Sequence, residues 1–291
     1  MEKLEICPID KTYKIAESTL LIREAFDYVA TKRQLDLIYV IISMIDKNDD
    51  EFKTYNISFD EIAQIYNPQN PYTREVKKYV DEATNKIMDS HFQITEDGII
   101  KKYHWVECCE INPKTETVVF KLSNKVKKFY IQLKENSYTV YLLKDLLALS
   151  TLFQSNLFRW LSCNSNFKNK VKINIEDAKR IFYGNEIETK TFIRKIDAAL
   201  DVIRVKTNID ATYCKVKKGK VITALEFYID NNYGVDFSLN HTKSDEQYVK
   251  DAKRKKAMWK ENIDMKKKIA EMEKEMEEMK AKLIDENKIT E

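Results

Sequence analysis

The sequence predicts an α+β chain in which one unit, two helices followed by a β-hairpin, is used twice and followed by a charged helical tail. Three observations predict it. The chain matches itself at one fixed offset, with Ile57 lying over Ile173. Apolar spacing changes from helical to alternating after the second helix of each copy. From Tyr248 to the end the chain is charge-rich and free of Gly and Pro.

With 291 residues, 43% hydrophobic and 33% charged, the chain can bury two ordinary cores beneath a heavily solvated surface. Four Gly and four Pro argue against a Gly-rich nucleotide fold and against long flexible linkers. Met1 to Asp10 lacks the basic-then-apolar layout of a signal peptide, and no run approaches the length of a membrane span, so no membrane partner is expected. Five scattered cysteines fit a reducing cytoplasm better than a disulfide framework. The net charge of +3 is unevenly divided. Residues 1–60 hold eight Lys/Arg against twelve Asp/Glu, a balance of −4, whereas residues 168–220 hold fourteen against seven, a balance of +7. A basic half suits a phosphate-binding surface, and it equally suits a solvated lysine-rich face.

The repeat begins with Ile57-Ser58-Phe59-Asp60-Glu61-Ile62-Ala63-Gln64-Ile65-Tyr66 over Ile173-Asn174-Ile175-Glu176-Asp177-Ala178-Lys179-Arg180-Ile181-Phe182. It continues with Thr73 over Thr189, Val76 over Phe192, Val80 over Ile196, Ala83 over Ala199 and Ile87 over Ile203. In each copy a short strand (Tyr55 to Ile57; Val171 to Ile173) ends at an N-cap residue, Ser58 or Asn174. Acidic residues follow in the first turn, where the helix dipole favours them. After a turn with Asn67, Pro68 and Pro71, or with Gly184 and Asn185, a longer helix starts at Thr73 or Thr189. Its apolar stripe is Val76, Val80, Ala83 and Ile87 in the first copy, and Phe192, Ile196, Ala199, Leu200 and Ile203 in the second. Basic pairs, Arg74/Lys78 and Lys190/Arg194, fall outside the stripe near each N-terminal end.

Strands come next. His91 to Thr95, Tyr103 to Ile111 and Thr117 to Leu122 are broken by Asp97-Gly98 and Asn112-Pro113. In the second copy Thr207 to Val216 and Val221 to Ile229 flank Lys217-Lys218-Gly219-Lys220, a hairpin turn loaded with positive charge. Helix, turn, helix and basic hairpin make a winged helix. A helix of this kind enters the major groove, and the wing touches phosphates or the minor groove. The wing lysines can equally be solvated turn residues. Domains are expected at 1–122, 123–235 and 236–291, the last a helical tail. In the tail Met258, Met265, Met272 and Met279 recur every seven residues, with Asn262, Ile269, Met276 and Leu283 offset by four. That is a short coiled-coil seam, a partner-docking helix, or a solvated helix.

The chain from about Tyr13 to Ile229 resembles the initiator replication proteins of iteron-type theta plasmids, the Rep_3 family. The resemblance rests on Ala30-Thr31-Lys32-Arg33-Gln34-Leu35-Asp36-Leu37 with Ile41 to Ile45, and on Tyr138-Thr139-Val140-Tyr141-Leu142-Leu143-Lys144-Asp145-Leu146. It rests further on Phe192 to Leu200, on Lys206-Thr207-Asn208-Ile209 and on Val216 to Ile222. It implies tandem winged helices engaging one DNA repeat, initiation at an origin carrying such repeats, and recruitment of the host replicative helicase or initiator. It also implies an origin-binding monomer and a homodimer that represses its own promoter. The chain departs from the family pattern where Leu157-Phe158-Arg159-Trp160-Leu161 replaces a Leu-Tyr pair, and the tail beyond about Asn240 lies outside the resemblance.

Candidate contacts to double-stranded DNA are Thr73, Arg74, Lys77, Lys78, Lys101 and Lys102 in the first copy. In the second they are Thr189, Lys190, Thr191, Arg194, Lys195, Lys217, Lys218 and Lys220. No catalytic site, metal or cofactor is expected. The three histidines form no His-x-His pair to hold a nickase metal, and there is no phosphate-binding P-loop. Adjacent Cys108 and Cys109 point to opposite faces of a strand and make a poor zinc site. Asp49-Asp50-Glu51 reads as solvated turn residues. Two other readings use the same features: a winged-helix transcriptional regulator with no initiation role, and an assembly protein acting through its tail.

Overall fold

A computed structural model describes residues 13–46, 49–67, 75–96, 98–131, 133, 138–165, 170–184 and 186–231. The expected coiled coil and the third domain lie outside them. The first half contains β1 (Lys14–Ser18), α1 (Thr19–Glu24), β2 (Phe26–Val29), α2 (Lys32–Ser43), β3 (Thr54–Ser58), α3 (Phe59–Tyr66) and α4 (Val76–Asp89). Four strands follow: β4 (His91–Glu96), β5 (Ile99–His104), β6 (Val106–Asn112) and β7 (Thr117–Leu122). A 3-10 helix, Asn124–Phe129, leads to the second half: β8 (Tyr138–Leu142), α5 (Leu143–Leu147), α6 (Leu152–Ser165), β9 (Lys170–Asn174), α7 (Ile175–Phe182), α8 (Thr189–Lys206), β10 (Ile209–Lys218) and β11 (Val221–Asn231).

The repeat offset reappears in the elements. β3 and β9 coincide residue for residue when shifted by the Ile57-to-Ile173 offset, and so do α3 and α7. Their caps differ. Ser58 and Glu61 form a reciprocal capping box on α3, whereas the Asn174 side chain makes no cap to α7 and its amide instead faces Asp177 Oδ2 at 3.4 Å. Both first strands join the edge of a three-stranded sheet, in the orders β3-β7-β6 and β9-β11-β10. The first half carries an additional sheet, β2-β4-β5. Its hairpin β4–β5 is inserted between α4 and the β6–β7 pair.

The core of the second half forms around α6, whose run from Ser155 to Asn164 is buried on all sides. A helix buried on every side belongs inside a domain, and its polar side chains there include Arg159 and Asn164, both hydrogen-bonded. Trp160 meets Phe182 and Phe227 at ring-centroid distances of 5.4 and 5.3 Å, and Phe182 stacks on Phe192 at 6.4 Å. Each such buried side chain stabilises the fold by roughly 1.5–3 kcal/mol.

The two halves share a junction. β1 pairs antiparallel with β8, from Lys14 opposite Leu142 to Ser18 opposite Tyr138, so the first described strand crosses the boundary expected at residue 122. Glu17 of β1, 0% exposed, meets Arg159 of α6, 2% exposed, in a two-pronged ion pair: Nη2 to Oε1 at 2.5 Å and Nε to Oε2 at 2.9 Å. Tyr141 of β8 donates its hydroxyl to the same carboxylate, and Tyr39 of α2 does so at 3.5 Å. The guanidinium lies 5.4 Å from the Tyr39 ring centre and donates to Asn156 Oδ1 at 3.3 Å. Burial pushes both tyrosine hydroxyls well above their ordinary pKa, so they remain proton donors to Glu17. A second tie joins α2 to α5: Lys32 pairs with Asp36 and donates to the Leu146 carbonyl at 3.1 Å.

One surface reading is corrected. Asp49 is not a solvated turn residue: its side chain is 7% exposed, held by Lys53 at 2.5 Å, and accepts the Asp46 N–H at 3.0 Å. Glu51 is engaged by Lys127.

Replacing Arg159 by Met leaves the Glu17 carboxylate buried without its counter-charge and should cost about 3–5 kcal/mol in urea unfolding. The double change Glu17→Gln/Arg159→Met should recover most of that loss. A single-variant loss below about 1 kcal/mol would contradict the coupling. Burial raises the pKa of Asp145, at the start of α5, to about 6. One of its oxygens has no hydrogen-bond partner among the described residues. The stability that protonated Asp145 contributes is present below its ordinary value and lost as pH rises through about 6. Asp145→Asn should therefore gain on the wild type as pH rises from about 4 to 7, by up to roughly 3 kcal/mol. A pH-independent difference would contradict this.

Candidate nucleic-acid interface

α8 has one face in the core. Phe192, Ile193, Ile196, Ala199, Leu200 and Ile203 are buried, which turns Lys190, Thr191, Arg194 and Lys195 outward, with Thr189 half-buried at the start. Among the described residues, Lys190 and Arg194 have neither an ion-pair nor a hydrogen-bond partner. Thr191 donates to Glu188 at 3.1 Å, and the Lys195 ammonium sits 5.4 Å above the Tyr183 ring centre. Further along, the outward side becomes structural. Asp197 accepts the Tyr213 hydroxyl at 2.8 Å, and Arg204 bonds Asp210 at 2.6 Å and Asp201 at 3.4 Å. Uncommitted positive charge is thereby confined to the first two turns, the part of such a helix that reaches base edges.

Beside it stands the β10–β11 hairpin. Lys218 lies opposite Val221 across a two-residue turn in which Gly219 has φ 63°, a value L side chains rarely adopt. A bulge between Val216 and Lys217 strengthens the local twist. Lys217, Lys218 and Lys220 are exposed, as is Lys215. Lys215 lies within the strand, and a search confined to the turn passes over it. Alternation along β10 is the signal that marks it.

In the first half, α4 buries Val80, Ala83, Thr84 and Ile87 and exposes Lys77 and Lys78. Lys78 approaches Glu75 at 3.9 Å, a loose surface pair. Thr73 and Arg74 lie outside the described residues. Lys101 and Lys102 are on β5, in the inserted hairpin rather than in the pair that matches β10–β11. Lys101 is tied to Glu96 at 2.5 Å, and Lys128 holds the other oxygen of that carboxylate at 2.7 Å. These two hydrogen bonds lower the Glu96 pKa, and Glu96 in turn raises that of Lys101. Lys102 is exposed.

By sheet order, the counterpart of β10–β11 is β6–β7. Its exposed residues include Glu107, Glu110 and Glu116 together with Lys114 and Lys121. The hairpins thus share topology and differ in charge. Other chemistry is sparse: no group of three or more His, Cys, Asp or Glu able to hold a metal occurs among the described residues. Cys109 is half-buried and its thiol is pushed up to about 12 by burial, which keeps it protonated and unreactive.

No curated protein matches the sequence. Among solved structures, the chain is similar in fold to Pi initiator protein, whose crystal structure is in complex with iteron DNA. The TM-score is 0.63 at 17% identity, over 77% of this chain and 100% of that one. Two structures of RctB domains 2 and 3 align with TM-scores of 0.41 and 0.38, at 8% and 9% identity, over 78% and 68% of this chain and 94% and 80% of theirs. A family model described as initiator replication protein, WH1, matches residues 14–162, just over half of the chain, and spans both partners of the Glu17–Arg159 pair. The chain belongs to the initiator replication protein family.

Proposed function

We propose that the chain initiates plasmid replication by binding direct repeats in double-stranded DNA, with α4 and α8 each laid in a major groove and β10–β11 as a phosphate-holding wing. One arrangement carries this reading. Lys190 and Arg194, without partners among the described residues, project from the first turns of a helix whose other face is core, beside a hairpin tip of exposed lysines. Family membership and the fold shared with an initiator solved on iteron DNA support it. In the same reading the two halves are winged helices descended from one by duplication, which the common offset and common sheet order support.

The halves contribute unequally. Lys77 and Lys78, with Thr73 and Arg74 before them, are the contacts proposed for the first half, together with exposed Lys102. Lys101 is a weaker contact because Glu96 already shares its charge. Carboxylates on β6–β7 repel phosphate, so the basic wing of the second half carries most of the backbone contact. The chain acts by binding, without catalysis, in the cytoplasm. It recruits the host replicative helicase or initiator and represses its own promoter as a homodimer, with its tail serving self-association or partner docking.

Binding titrations on repeat and scrambled duplexes at several salt concentrations test the reading. A planar guanidinium can meet guanine with two hydrogen bonds, a contact worth ~1–3 kcal/mol of discrimination. Arg194→Ala should therefore reduce preference for the repeat with little change in salt dependence. Changing Lys217, Lys218 and Lys220 to Gln should weaken binding to both duplexes and flatten the slope of log affinity against log salt, by up to ~0.9 per lost phosphate contact. Equal weakening of both duplexes by Arg194→Ala would remove α8 from the role of base reader.

A further inference from the structure

Away from the DNA-facing surfaces, one depression combines size with convergent charge. It lies where α1 meets α6, β9 and α7, and its volume is about 640 Å³, within the range of small-ligand sites. Three elements each send a cation to it: Arg23 from α1, Lys172 from β9 and Arg180 from α7. Buried Trp160 and Ile173 supply an apolar floor.

The cations are held to different degrees. Arg23 donates to Asn164 Oδ1 at 3.0 Å, which fixes its guanidinium against the wall. Arg180 faces Glu24 Oε2 and Asp177 Oδ1 at 3.8 and 3.7 Å and donates to the Glu24 carbonyl at 3.4 Å, among further contacts. Lys172 is exposed and has no ion-pair partner among the described residues. Thr19 also lines the depression and is 8% exposed.

Glu24 and Asp177 narrow the ligand class. Two carboxylates beside three cations disfavour a bare anion, yet they offer acceptors to hydroxyl or amine groups. A body carrying such groups on an apolar face, joined to phosphate, satisfies cations, carboxylates and floor together. We propose that the depression between α1, α6, β9 and α7 is a binding site for a nucleoside phosphate, with Lys172 and Arg180 on the phosphate and Glu24 and Asp177 on its hydroxyl or amine groups. The bound ligand bridges α1 of the first half to α7 of the second. The site does not depend on the DNA-binding reading.

Calorimetric titration of the full chain with AMP and ATP, alongside inorganic phosphate and pyrophosphate, tests it. The expected result is saturable one-to-one binding of a nucleoside phosphate, tighter than either inorganic anion and weakened at least about tenfold by Lys172→Gln and by Arg180→Gln. Lys172 is exposed, so its variant separates lost binding from lost folding, and duplex DNA should not compete. No saturable binding of AMP or ATP up to about 5 mM would overturn the proposal. Equal binding of pyrophosphate, binding indifferent to both substitutions, or displacement by duplex DNA would each overturn it as well.

Discussion

A buried ion pair between Glu17 and Arg159 fixes how the two halves of this chain meet. Taking both charges out of water is costly, and the cost is recovered only when every remaining donor and acceptor is matched. Here the guanidinium spans both carboxylate oxygens while Tyr141, Tyr39 and Asn156 complete the set. Partners come from β1, α2, β8 and α6, so the network forms only when the β1–β8 register and the placement of α6 are both right. An apolar contact of equal area tolerates sliding, whereas a two-pronged pair does not. Specifying a single arrangement is the service such a pair can render.

That constraint matters because the elements proposed to face DNA stand on opposite sides of it. α4 belongs to the first half and α8 to the second; exposed Lys77 and Lys78 lie near the N-terminal end of one, Lys190 and Arg194 near that of the other. Two helices can read one repeat only if their separation is held. The scaffold is nearly symmetric, with the same strand order and the same strand-to-helix step in both halves, but the charges are not. Lysines crowd the β10–β11 tip, while Glu107, Glu110 and Glu116 face outward from β6–β7. On the proposed reading, one half grips backbone and the other contributes a helix with little help from its hairpin.

Local regularities made much of this legible in the sequence. The offset match located β3, α3, β9 and α7, because a strand ending in a cap residue followed by an amphipathic helix leaves a short-range pattern. The buried stripe of α8 followed from its 3.6-residue spacing. Long-range pairing left no such mark. Neither the union of β1 with β8 nor the partner of Arg159 is encoded in any window of neighbouring residues. Lys101 and Lys102 stand as candidate DNA contacts on sequence alone, because strands alternate alike wherever they pair. Only the sheet order reveals that β4–β5 is an insertion and that Glu96 already holds Lys101. Asp49 misled for a different reason: its partners, Lys53 and the Asp46 N–H, are local, and only the folded turn shows that they enclose its carboxylate.

The central claim is that a single chain, held at its junction, presents α4 and α8 to the same DNA repeat. Hydroxyl-radical footprinting of the full chain on a duplex carrying one repeat measures this directly. The account predicts two protected segments on that duplex from one bound chain, one lost on changing Lys77 and Lys78 and the other on changing Lys190 and Arg194. Protection of a single segment, or a second segment that appears only when a second chain binds, would contradict it.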